Sequence, residues 1–457
     1  AFDPHGVMNP NKIFDTPSLT DNLRYGNKYT TFSPPVRLDW SAEGGFISAV
    51  EKCNGVGACR KVNAGAMCPS YQATREEMHS TRGRANTLRS VLSGSLPKET
   101  LHSKELFEVF SLCVECKSCK SECPSNVDMA KIKSEFLYGY NKKNGTPITS
   151  RLIGNIHSIS AMTIPLAPIF NFVTETAAFR FINEKILGFD RRRKLPPLVT
   201  QTFESWFKKR ATNTTGTRGN IVLFHDTFMN FNHPESGIGA TRILEALGFN
   251  VQLADRKCCG RPMISKGLLD EAASNARRNV DVLYKHVQAG AKIVGCESSC
   301  IMTLKDEYPD LLPGNERAKS VADATLMLEE LIGETLNDGH QQINWNDKVV
   351  ESTLQVHCHE QALMGTEAAL KAMNIPPNYS TKLLEAGCCG MAGSFGFEKK
   401  HYDVSMKMGE DRLFPALRAS SPEVSIAVTG VSCRQQVEDG VGRPARFLSD
   451  ILAEAID

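Results

Sequence analysis

A chain of 457 residues, 41% of them hydrophobic, exceeds the size at which one core divides, so about two to four domains are expected and disorder is not. Its 53 basic and 51 acidic residues leave a formal charge of +2, too little to steer it to nucleic acid. Fifteen cysteines fall in three groups, Cys53 to Cys123, Cys258 to Cys300 and Cys358 to Cys433. No charged-then-apolar secretory segment opens the chain, so a reducing, cytoplasmic setting and metal ligation outrank a disulfide framework.

Residues 1–15 open in a turn-rich phrase, Asp3 to Phe14, that reads as the tail of something longer, and 16–45 read as a linker. Over 46–145 the first cysteine group is embedded in two helical patterns, Pro69 to Leu92 and Ser125 to Lys142. In each, a proline directly follows a cysteine and suits the first helical turn, where its missing N–H is not needed. Residues 146–215 read as a second linker, with Pro165, Pro168, Pro196 and Pro197 breaking any long helix. The apolar stretch Ala161 to Val173 is too short to span a bilayer. The basic runs Arg191 to Lys194 and Lys208 to Arg210 read as solvated charge, which leaves membrane contact peripheral at most, at the cytoplasmic face.

An α/β pattern fills 216–340. Strands are expected at Ile221–Phe224 and Val251–Ala254, helices at Ile238–Leu247 and Gly267–Ala289, and a strand at Ile293–Gly295 that delivers Cys296 and Cys300. The same order recurs over 341–457. A strand at Thr353–Val356 runs into His357-Cys358-His359, a helix covers Glu360–Met373, and Lys382–Leu384 precedes Cys388-Cys389-Gly390. A helix at Glu398–Leu417 and a strand at Val424–Thr429 then deliver Cys433. The expected class is α+β: a helical two-cluster ferredoxin-type domain followed by two duplicated α/β Cys-Cys-Gly domains. In such units the strands' carboxyl ends share one edge, so distant cysteines can converge.

Cys113-x-x-Cys116-x-x-Cys119-x-x-x-Cys123-Pro124 reproduces the bacterial cluster loop, whose fourth cysteine serves a neighbouring cluster. Cys53, Cys59 and Cys68-Pro69 form the partner loop, with Val56 where a cysteine is missing. Crossed ligation assigns Cys68, Cys113, Cys116 and Cys119 to a [4Fe–4S] cluster. Cys53, Cys59 and Cys123 are left for a [3Fe–4S] cluster, or for a [4Fe–4S] cluster with a non-cysteine fourth ligand. Downstream, Cys258, Cys259, Cys296 and Cys300, possibly with Asp226, form one metal group, and Cys358, Cys388, Cys389 and Cys433 another. In both, a glycine after the vicinal pair lets the backbone approach closely. An iron–sulfur cluster or structural zinc would suit these donors.

Together these residues resemble the C-terminal half of the YdiJ-like FAD-linked oxidases, flavin and iron–sulfur dehydrogenases of D-2-hydroxy acids such as D-2-hydroxyglutarate or D-lactate. The resemblance covers the full chain. The Cys-Cys-Gly domains are also similar to the glycolate oxidase iron–sulfur subunit and to the Cys-Cys-Gly-bearing subunit of heterodisulfide reductase. In the latter such motifs hold noncubane clusters through five cysteines; here each group has four, with Asp226 in place of a cysteine and Cys433 alone where a pair stands. The resemblance implies an oxidoreductase whose FAD and substrate pocket lie on an upstream domain, with no catalytic residue in this chain. It also implies an electron acceptor, quinone or soluble carrier, and a homo-oligomer. The alternatives are a thiol–disulfide reductase of the heterodisulfide type and a zinc-bearing assembly module.

Overall fold

In the computed structural model, which describes all residues except 1–2, 9, 14, 22, 24, 27–28, 63, 211–215, 338–342 and 457, the α/β half is built on two four-stranded parallel sheets. Parts of the expected tail at Asp3 to Phe14 therefore lie outside the described residues. The first sheet contains β1 (Asn220–Leu223), β2 (Asn250–Gln252), β3 (Lys292–Gly295) and β4 (Thr325–Met327), in the order β2-β1-β3-β4. The second contains β5 (Val350–Gln355), β6 (Tyr379–Leu383), β7 (Ser425–Val428) and β8 (Ala445–Phe447), in the order β6-β5-β7-β8. The shared order makes the repeat a true duplication of topology. Central strands are apolar on both faces because helices cover both: Val222, Leu223, Ile293 and Val294 are fully buried, as are Leu354, Ala427 and Val428.

The edge strands β4 and β8 are three residues each, too short for a periodic signal, and the sequence reading does not anticipate them. Two expected helices are each divided. Gly365, at φ +86°, separates Cys358–Leu363 from Glu367–Met373, and Tyr402–Asp411 stops before Leu413–Ala419.

Helices build the first 145 residues, chiefly Pro69–Thr74, Thr81–Leu92, Lys104–Ser111, Ser118–Glu122 and Met129–Asn144. Pro69 occupies the first helical turn as expected, but Pro124 does not. The last of these helices begins at Met129, where the Asp128 side chain accepts the Lys131 N–H.

Residues 146–215 are not a linker without structure. Helices run over Ile148–Gly154, Ile156–Thr163, Ala167–Glu175, Ala177–Ile186 and Phe203–Lys209. Pro165 sits in the 3-10 turn Ile164–Leu166 and Pro168 in the first turn of the next helix, positions where no helical hydrogen bond is lost. Ile156–Glu175 therefore continues as one helical run of 20 residues, long and apolar enough to cross a membrane by length and composition, which corrects the shorter apolar stretch read from sequence. Arg193, expected among solvated charges, is buried: it donates to the Gln436 side chain and pairs with Asp439 at 2.6 Å, fastening this region to the second Cys-Cys-Gly domain.

Candidate metal centres

Between Cys113 and Cys119, Glu115 and Lys117 take left-handed φ values of +50° and +62°. The chain therefore coils tightly, and Cys113, Cys116 and Cys119 line one cavity. Cys68 arrives from the preceding segment and completes its lining, while Cys123 does not line it. A buried four-thiol cavity is the donor set a [4Fe–4S] cluster takes. Burial pushes the Cys113, Cys116 and Cys119 thiols up. It also pushes Cys68 up, but Arg84 and the Ser70 hydroxyl outweigh it and leave that thiol below its ordinary value. Arg84 is fully buried, with its guanidinium 3.5 Å from the Cys68 sulfur and 3.0 Å from the Ser70 hydroxyl.

Cys53, Cys59 and Cys123 are buried in the same core cluster as Cys68. Burial pushes the Cys59 thiol up, Cys53 and Cys68 being close enough to add to the shift, and the Arg82 N–H donates to the Cys59 sulfur at 3.4 Å. Val56, where a fourth cysteine would stand, is 62% exposed, so this corner opens to solvent.

The second Cys-Cys-Gly domain gathers all four of its thiols. Cys388 hydrogen-bonds to Cys358 and Cys389, and Cys389 to Cys433. Those bonds hold Cys389 well below its ordinary value and push Cys388 and Cys433 up. Of the two flanking imidazoles, His357 caps the Cys358–Leu363 helix, its Nδ1 accepting the His359 N–H at 3.2 Å, and burial lowers its pKa to about 4. His359 Nδ1 is buried and has no hydrogen-bond partner among the described residues.

The first domain departs from this pattern, and the structure changes the correspondence read from sequence. Asp226 caps the helix Thr227–Phe231, accepting N–H groups of Phe228 and Met229, as His357 caps its counterpart. Thr227 therefore occupies the place of Cys358, and its hydroxyl lies 3.7 Å from the Cys258 sulfur. Cys300 and Cys433 are each the third residue of the helix after the third strand, and Cys259 donates to Cys300 at 3.1 Å. Cys296 has Thr429 as its counterpart. It packs in a different core cluster, near Glu329, Asp226, Asp450 and Ser449, rather than with Cys258, Cys259 and Cys300. The first group is thus three cysteines and a threonine. The bond from Cys259 lowers the Cys300 thiol, but burial outweighs it and pushes that thiol up, and Asp226 is close enough to add to the shift.

All fifteen cysteines are buried and none is in a disulfide.

Glu115 joins the three cysteine-rich regions, a role that cluster-loop spacing does not announce. Its carboxylate pairs with Arg261, just after Cys259-Gly260, at 2.5 Å, and with Lys133 at 3.4 Å. Its carbonyl bonds to His359 Nε2 at 2.8 Å. Lys117 holds Asp306 and Glu307 of the first Cys-Cys-Gly domain at 2.5 Å each. The outcome is that Cys116 and Cys358 share one apolar cluster, with Cys358 near enough to raise the Cys116 thiol.

Residues 49–127 match the 4Fe-4S dicluster domain and residues 222–305 the cysteine-rich domain known as CCG. The chain is 27% identical to one of the subunits of anaerobic glycerol-3-phosphate dehydrogenase of Escherichia coli K12, over 73% of this chain and 83% of that protein. It is 26% identical to D-2-hydroxyglutarate dehydrogenase of Pantoea ananatis, over 100% of this chain and 48% of that protein, so it spans about half the length of that relative. It is 23% identical to the glycolate oxidase iron–sulfur subunit of E. coli K12, over 86% and 92% respectively. Fold, donors and relatives together define an iron–sulfur electron-transfer protein of the dehydrogenases and oxidases.

Proposed function

We propose that this chain is the electron-transfer portion of a FAD-dependent D-2-hydroxy-acid dehydrogenase, of the D-2-hydroxyglutarate or D-lactate type. It carries electrons from a reduced flavin on an adjoining domain to an external acceptor, quinone or soluble carrier. The observation that carries this reading is the closeness of Cys116 and Cys358, which sets the ferredoxin-type thiols beside the second Cys-Cys-Gly site. Clusters held by Cys68, Cys113, Cys116 and Cys119, by Cys53, Cys59 and Cys123, and by Cys358, Cys388, Cys389 and Cys433 would supply one-electron storage at potentials set by charge, hydrogen bonding and burial.

The residues of this chain do the rest. Arg84 places positive charge against Cys68, Glu115 locks the domains in register, and Val56 removes one thiolate from the second ferredoxin-type site, which raises its potential relative to the four-cysteine site. Thiolate ligation by this many cysteines suits a reducing, cytoplasmic setting. Anaerobic EPR tests the proposal: cubane signals on reduction and, for a three-iron site, a signal in the oxidised protein are expected. Absence of both in either state would sink it.

A second reading, a separate iron–sulfur subunit serving a flavoprotein chain, is favoured by the 92% coverage of the glycolate oxidase subunit. The polypeptide mass of the protein from its native host separates the two. About twice this length supports the first, and a distinct co-purifying flavoprotein supports the second.

A further inference from the structure

Ten of the twenty-two large apolar side chains exposed among the described residues fall between Ile148 and Ile186, including Met162, Leu166, Ile169, Phe172, Ile182 and Ile186. Phe172 is 75% exposed, and the apolar run Ile156–Glu175 is for the most part not buried. Water is a poor solvent for such a face, and a contiguous apolar patch on a folded surface marks an interaction site.

The inner side of the run is fixed to the protein. Ala167 packs with Leu198 and Phe231, and Asn171 exchanges hydrogen bonds of 2.8 and 2.9 Å with the Leu198 backbone. His157 Nδ1 lies 3.0 Å from the Thr227 hydroxyl. A helix held along its length in this way lies flat and does not cross a bilayer.

Charge identifies what covers the outer side. Leu152 to Thr174 contains no Asp, Glu, Lys or Arg. Cations bound it: Arg151 before, and Arg180, Lys185 and Arg191 after, with Lys185 and Arg191 lying 5.8 and 4.7 Å over the ring of the exposed Phe181. Of the acids inside this span, Glu184 is buried beneath Arg191 and Lys399, Asp190 is buried against Arg192, and Glu175 alone is exposed. An apolar face with a basic rim is the composition of helices that lie in the headgroup region of anionic bilayers.

We infer that the helices from Ile148 to Ile186 form a membrane-docking face that seats the protein on an anionic lipid surface. Docking there would bring the first Cys-Cys-Gly site to about one helix diameter, roughly 10 Å, from lipid, because Thr227 touches both His157 and Cys258. Of the two acceptor classes, it is the lipid-dissolved one that this position serves; that consequence rests on the electron-relay reading, whereas the docking does not.

Flotation of the purified cluster-containing protein tests it, with vesicles of phosphatidylcholine alone and of equal parts phosphatidylcholine and phosphatidylglycerol. Flotation with the anionic vesicles is expected, and a loss of about tenfold or more in the Ile169→Glu/Phe172→Glu double variant. Val349→Glu, at an exposed apolar residue outside this region, should float like the wild type. The visible absorption of the clusters reports whether each variant is intact. Failure of the wild type to float, or equal flotation of the double variant, overturns the inference. So does a double variant that loses a flavoprotein partner or an oligomeric contact while the wild type ignores vesicles, since the face is then a protein interface. Flotation is independent of the EPR outcome, so the two proposals fail separately.

Discussion

The two Cys-Cys-Gly domains share strand order, helix caps and the spacing of their cysteine helix, yet they are chemically unequal. The second gathers Cys358, Cys388, Cys389 and Cys433 and abuts Cys116; the first gathers Cys258, Cys259 and Cys300 with Thr227 in the fourth place. A duplicated fold therefore keeps its scaffold while one copy changes its donor set. Sites are a property of a few strand-end positions, and the sheets beneath them are indifferent to what those positions carry.

The largest expected effect tests that asymmetry directly. Cys389→Ala removes the thiol bonded to both Cys388 and Cys433, and, on the proposed electron-relay function, transfer to the acceptor should fall beyond the ~10–100-fold that loss of an outer-shell partner costs. Cys259→Ala should cost less. Equal losses, measured by turnover and iron content, would break the comparison.

Next comes the joint between the domains. Glu115→Ala leaves Lys133 buried without its anion and Arg261 with Glu307 alone, and the chain should be destabilised by up to about 3–5 kcal/mol in denaturant unfolding. Glu115→Gln keeps the shape and loses the charge, so a deficit of similar size in both variants would assign the effect to the ion pairs rather than to packing.

Thr227→Cys restores the missing thiol of the first domain. Iron and acid-labile sulfide per chain should rise, with a new EPR component; unchanged iron would show that the first domain lost more than one ligand. The smallest effect concerns the contact between repeats, where Glu235 meets Arg434 at 2.8 Å. Burial pushes this carboxyl up, but His233 and Arg434 outweigh it and lower it to about 2. A depressed folded value stabilises above the unfolded value of about 4.3, and that contribution is lost as pH falls toward 2. The carboxylate is substantially solvated, so the stability gap to Glu235→Gln should stay within about 1 kcal/mol at neutral pH and close on acidification. A pH-independent gap contradicts this.

Much of this arrangement is legible from residue order. Cluster-loop spacing names the four thiols that line the first cavity, because three of them lie on one turn and the fourth precedes a helix-starting proline. The repeat is equally plain, since apolar strand, glycine and vicinal cysteines recur in one order. Three features escape that reading. Cys296 counts as a ligand by proximity in sequence, yet it leaves the strand on the side facing another core. Asp226 aligns with Cys358 by triplet, whereas the helix caps shift the register by one and bring Thr227 into place. The prolines of 146–215 look like breaks, but two of them occupy turns that need no N–H.

Residue order thus determined which side chains are soft donors, how the cluster loop turns and that the α/β unit occurs twice, for these depend on local spacing and on burial of periodic apolar residues. Only the tertiary structure decided that Cys116 meets Cys358 through Glu115, that the first site is one thiol short, and that Ile148 to Ile186 presents an uncovered apolar face. Each of those follows from how segments far apart in sequence pack together, and no local pattern encodes that distance.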